Sequence, residues 1–96
     1  MAIEIHLTDS ISGASMTLND RQKNLVLVEM RRVRRFGAPD IPNAPPIAAD
    51  CKMEIDDNGR IRRYYVLRET VLLDVQRRKL YQFYMGLQLL QWLTTP

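Results

Sequence analysis

No charged side chain follows Lys79, and the seventeen residues beyond it include LYQFYMGLQLLQWL at 80–93, with ten large apolar or aromatic residues, three Gln and one Gly. Such a stretch has to be hidden from water, and the way it is hidden constrains the rest of the chain. Read as a helix covering most of 77–93, it has two apolar sides. Leu80, Phe83, Tyr84, Leu87 and Leu90 form one stripe, the expected contact with the chain's own sheet. Tyr81, Met85, Leu89 and Trp92 fall on the other. Burying one such side chain is worth about 1.5–3 kcal/mol. Leaving four in water would forfeit much of a typical stability of about 5–15 kcal/mol.

A chain of 96 residues is expected to form one domain, 1–96, with limited interior. It has little room to surround a helix that is apolar all round. The expectation is therefore a partner chain, either a second copy or a different protein, anchored by Tyr81, Met85, Leu89 and Trp92. Aromatics and Met are enriched, and charge depleted, at interface cores. Gly86 would permit close helix approach. A membrane span is rejected: a helix over 80–93 would be about 21 Å long, against a hydrocarbon core of about 30 Å. A helix lying on the bilayer surface normally keeps a charged face, and this one has none.

The remaining elements read from the N-terminus. Ile3, Ile5 and Leu7 alternate with Glu4, His6 and Thr8, which predicts a short strand with one wet face. TLNDRQKNLVLVEMRRVRRFG predicts a helix capped by Thr17 or Asn19, with Asp20 near its start, arginines near its end and Gly37 following. Four of the five prolines fall in the next stretch, so residues 37–50 are expected to be an extended proline-rich arm. CKMEIDDNGRIRRYYVLRE predicts a β-hairpin turning at Asn58-Gly59. Residues 70–76 fit a third strand or the beginning of the last helix equally well. The expected fold is thus α+β: a small antiparallel sheet, hairpin or three strands, with two helices, the C-terminal one strongly apolar.

Charge is distributed unevenly. Eleven of fourteen Lys and Arg fall in three clusters, Arg31, Arg32, Arg34, Arg35; Arg60, Arg62, Arg63, Arg68; and Arg77, Arg78, Lys79. Arg31, Arg32, Arg34, Arg35, Arg62 and Arg63, with Tyr64 as a stacking aromatic, are the candidate contacts to nucleic acid or to an acidic surface. If 70–76 is a strand, the body has the order of elements of a double-stranded-RNA-binding domain, with Arg77, Arg78 and Lys79 at the start of its second helix; this is an analogy of fold alone. With a net charge of only +3, a solvated cationic face explains the same residues.

No catalytic residues are expected. His6 is the only histidine, and its sequence neighbours Asp9, Ser10, Ser12 and Ser15 do not by themselves make a nucleophile–base pair. No metal is expected either: one Cys and one His do not complete a zinc site. EIDDNGRI imitates part of a calcium loop, but Tyr65 stands where its bidentate acid belongs. No cofactor motif is present. Cys51 alone forms no intrachain disulfide and MAIEIHLTDS is no secretory leader, so a cytoplasmic location is expected. The leading reading is a non-enzymatic interaction or structural subunit that associates through its C-terminal helix. The alternative is a small basic nucleic-acid-binding protein.

Overall fold

The computed structural model of the protein describes residues 2–35 and 49–95, without the side chains of Arg35 and Arg68. The strands are β1 (Ile3–Asp9), β2 (Ser15–Thr17), β3 (Arg34–Arg35), β4 (Cys51–Asp57), β5 (Arg60–Arg68), β6 (Val71–Asp74) and β7 (Lys79–Gln82). The helices are α1 (Asp20–Arg32) and α2 (Gly86–Thr94). All strands join one antiparallel sheet in the order β2-β1-β4-β5-β6-β7-β3. It amounts to six strands plus a two-residue seventh.

Three sequence expectations hold. β1 lies where the alternation placed it. α1 begins at Asn19 with a reciprocal cap: the Asn19 side chain accepts from the Gln22 N–H, and the Gln22 side chain accepts from the Asn19 N–H, both at 2.9 Å; its far end is corrected, since the helix stops at Arg32, Val33 is extended, and Arg34–Arg35 pair with β7 as a strand instead of continuing the helix. The hairpin β4–β5 turns at Asn58 (φ 54°) and Gly59 (φ 88°), the paired positive φ values of a tight hairpin turn. The Asp56 carboxylate accepts from the Gly59 N–H at 2.8 Å, so the acid of the calcium-like string supports the turn. Residues 36–48, most of the proline-rich arm together with Gly37, lie outside the described residues.

The expected small sheet and long last helix are corrected. Residues 71–82 form a second hairpin, with Leu72 opposite Tyr81 and Leu73 opposite Leu80. The 77–93 segment therefore divides into a turn, strand β7 and the nine-residue α2. The physical reason lies in the turn. Arg78 takes φ 56° and its N–H donates to the Asp74 carbonyl at 2.8 Å. The Asp74 carboxylate accepts from the Arg77 N–H at 3.1 Å. A left-handed position usually marked by Gly or Asn is here filled by Arg, so the run VQRRK carries no ordinary turn signal.

Register divides the sheet into two faces. On the inner face lie Ile5 and Leu7 (β1), Cys51, Met53 and Ile55 (β4), Tyr64 and Val66 (β5), and Leu72 (β6). Val26 of α1 and Leu89 of α2 complete that core, along with Leu18 and Phe83. α1 leaves from the β2 edge and arrives at the β3 edge. A helix of thirteen residues is about 20 Å long, whereas six gaps between flat strands would span about 29 Å, so the sheet twists and curls towards the helix. Gly86 seats α2 directly on the β5–β6 turn: its N–H donates to the Glu69 carbonyl at 3.1 Å, and a Cβ there would stand 2.6 Å from that oxygen.

Candidate functional site

A groove of about 350 Å³ opens between α1 and the inner face of β5–β7. Each wall follows from local sequence. The Asn19 cap fixes where α1 starts, and Lys23 Nζ donates to the Ile3 carbonyl at 2.9 Å, pinning the helix over the end of β1. This turns Val26 into the core and leaves Leu27, Met30 and Val33 half-buried along the groove, with Arg31 exposed at its rim. From below, the two-residue period of β5 brings Arg62 and Tyr64 to the same face. The β6–β7 hairpin adds Asp74, Arg77 and Tyr81.

Asp74 is buried, at 6% exposure. Besides the Arg77 N–H, its carboxylate faces the Arg77 guanidinium, with Nε 3.9 Å from Oδ2. Tyr64 is buried at 5% exposure. Burial above all, and then the Asp74 carboxylate, push its phenol up, while a hydrogen bond with Arg62 pulls the other way. The phenol stays neutral at ordinary pH and helps to hold Arg62 at the groove.

The outer face is different in kind. His6 Nδ1 lies 2.9 Å from Thr17 Oγ1 and its Nε2 lies 3.2 Å from Glu4 Oε2. Arg63 Nε stands 3.8 Å from Glu54 Oε2, and Lys52 Nζ sits 5.9 Å from the centre of the Tyr65 ring. His6–Thr17, Arg63–Glu54 and Lys52–Tyr65 are cross-strand pairs, and His6–Glu4 is a pair two residues apart on β1, all on an exposed strand surface. The Thr17–His6–Glu4 row has the composition of a hydroxyl, base and carboxylate relay. It lies on open sheet, where water is not excluded and no cluster of oxyanion donors surrounds the hydroxyl. Cys51 is fully buried, its thiol pushed up to about 12 first by that burial and then by Asp50 and Asp9, which makes it a packing residue and a poor nucleophile. Among the described residues, no group of three or more His, Cys, Asp or Glu is placed to hold a metal ion, and no helix is long and apolar enough to cross a membrane.

The residues expected from the sequence are redistributed. Leu89 is fully buried in the chain's own core and so does not face a partner. Tyr81 lies on β7, not on a helix; Met85 is the N-cap position of α2; Trp92 is on α2; all three are half-buried against the core. The expected inner stripe is also only partly inner: Phe83 is fully buried, whereas Tyr84 and Leu87 are exposed. Arg31 and Arg62 meet at the groove. Arg32 is exposed in the last turn of α1. Arg34 stands opposite Gln82 and Arg35 opposite Tyr81 on β3. Arg63 is on the far side of the sheet, and Tyr64 has no exposed ring face. The sequence reading did not include Asp74 and Arg77 in the site; the available signal was an Asp three residues before an Arg, a side-chain-capped turn. No family model matches the sequence, and no curated protein or solved structure is significantly similar to the chain.

Proposed function

We propose that the chain is a non-enzymatic structural subunit that pairs with a second copy of itself through the outer side of α2 and the adjoining side of α1. The observation that carries this reading is the exposure of Tyr84 (67%) and Leu87 (52%) at the start of a helix that bears no charge. Glu29 Oε2 accepts from the Tyr84 N–H at 3.0 Å, which holds that start beside the turn of α1 where Leu25 and Val28 are exposed. Four large apolar side chains thus face water in one neighbourhood, whereas scattered single ones would need no explanation. Two-fold pairing is the commonest way for a chain to cover such a patch. It brings uncharged α2 against uncharged α2, with Gln88, Gln91 and Thr94 as a polar rim, so the chain's positive charge is not forced together.

Compared with the helical expectation, the anchors move outward. Tyr84 and Leu87 replace Leu89, while Tyr81, Met85 and Trp92 support the patch from within. A cytoplasmic location belongs to the same proposal, in keeping with Cys51 as a buried free thiol. The nucleic-acid alternative draws less support, because adjacent Arg62 and Arg63 face opposite sides and Tyr64 is buried where stacking needs an open ring.

Mass by light scattering, at low and high salt and with and without a duplex oligonucleotide, tests the proposal. A dimer is expected, and more of it at high salt, which screens like charge and strengthens apolar contact. Val28→Glu with Leu87→Glu should give a monomer with an unchanged circular dichroism spectrum. A monomer at every concentration, shifting in mass only when nucleic acid is added and less so at high salt, would replace this reading by the alternative.

A further inference from the structure

We infer that the groove between α1 and β5–β7 binds a small amphipathic oxyanion, a carboxylate or phosphate monoester on an apolar or aromatic body. Three elements distant in sequence each deliver one guanidinium to it: Arg31 from α1, Arg62 from β5 and Arg77 from the β6–β7 turn. One carboxylate, Asp74, lines the same space and is ion-paired with Arg77. Arg31 has no hydrogen-bond or ion-pair partner among the described residues. Arg62, beside the neutral phenol of Tyr64, has no ion-pair partner among the described residues. Two of the three cations are thus uncompensated inside a cleft, an arrangement that concentrates the field on an entering anion. A planar guanidinium fork donates two parallel hydrogen bonds to a pair of oxygens on either a carboxylate or a phosphate.

The rest of the lining determines what the anion is attached to. Ile3, Leu27, Met30, Val33 and Tyr81 present hydrocarbon and ring surface beside the cations. A free inorganic anion would leave that surface wet. An apolar body covers it, and the volume lies at the lower end of the range, about 300–1,000 Å³, of pockets that hold small molecules. The cleft on the outer face, lined by His6, Lys52, Glu54 and Arg63, makes the contrast. There Arg63 and His6 each already face a glutamate and Lys52 lies over the Tyr65 ring, so each basic side chain already has a partner within the chain.

The test is a ¹H–¹⁵N NMR titration of the full chain with octanoate and with phenyl phosphate, alongside inorganic phosphate and 1-octanol. Both amphipathic anions are expected to shift the backbone signals of residues 30–33, 62–64, 74–77 and 81, saturably, with the better of the two identifying the preferred headgroup. Inorganic phosphate and octanol should each bind at least about tenfold more weakly, since each lacks half of the contacts. Arg62→Ala should weaken binding about tenfold or more, while Arg63→Ala, its neighbour on the opposite face, should leave it unchanged. Both side chains are exposed, so both variants are expected to keep the wild-type spectrum. The Val28→Glu, Leu87→Glu chain should bind as the parent does, which separates this inference from the pairing proposal. The inference is overturned if neither amphipathic anion saturates, if inorganic phosphate binds as well as they do, or if the two arginine variants behave alike.

Discussion

The two faces of the sheet are built from the same strands, yet they do different things. Arg62 and Arg63 are consecutive, and the register sends them to opposite sides. On the outer side Arg63 meets Glu54 in a cross-strand ion pair exposed to water, a contact of little energetic weight. On the inner side Arg62 joins Arg31 and Arg77 under a helix, against a buried phenol and hydrocarbon. A cluster of arginines in sequence is therefore not a cluster in space. The period of two disperses near neighbours, while strand order and the helix crossing assemble residues fifteen to forty-six positions apart.

The contrast in burial gives the largest predicted effect. Leu89 belongs to the inner layer and is fully buried, while Leu87, two residues earlier on the same helix, is half exposed. At a dilution where the chain is monomeric, Leu89→Ala should cost about 2–5 kcal/mol in urea unfolding and Leu87→Ala within about 0.5 kcal/mol. Equal losses would break the comparison on α2. Next comes Gly86→Ala. A Cβ 2.6 Å from the Glu69 carbonyl oxygen meets main chain, so either α2 or the β5–β6 turn must shift. A loss of about 1–3 kcal/mol is expected, of the size seen for overpacking.

A third prediction concerns pH. Cys51 on the inner face, its thiol pushed up to about 12 by burial, stays protonated well above the 9.0 of a free thiol. Between those values the unfolded chain binds fewer protons than the folded one, so stability falls as pH rises from about 9 towards 12. Cys51→Ala should lower stability at pH 7 but remove that part of the alkaline slope. An unchanged slope would mean that the thiol is less sheltered than its neighbours on the inner face. The smallest effect belongs to the turn that carries Arg77 inward. Arg78→Gly relieves a side chain at φ 56° and should raise stability by about 0.5–1 kcal/mol in thermal unfolding.

What the sequence disclosed depended on how locally each feature is determined. The Asn19 cap, the alternation of β1 and the Asn58-Gly59 turn are settled by a few neighbouring residues, and all three were legible. The 71–94 segment was not, for two reasons. Leu72, Val75, Leu80, Phe83 and Leu87 match a helical spacing while Val71, Leu73 and Val75 match a strand, so periodicity alone did not arbitrate. The feature that would have decided it, a left-handed residue at the turn, is an Arg. The pairings of β1 with β4 and of β3 with β7 join segments more than forty residues apart, and no local pattern encodes them. The groove inherits both difficulties. Arg31 and Arg62 were candidates by composition, but their meeting with Arg77 and Asp74 follows from strand order and from the unrecognised hairpin.

That hairpin is the hinge of the whole account, since it places Asp74, Arg77 and Tyr81 on the inner face and shortens the last helix enough for the core to take Leu89. Backbone nuclear Overhauser contacts across residues 71–85 test it directly. Cross-strand contacts between Leu72 and Tyr81 and between Leu73 and Leu80 are predicted, with helical i to i+3 contacts beginning only at Gly86. An unbroken series of i to i+3 contacts from 77 through 93 would contradict the fold, the groove and the exposed patch together.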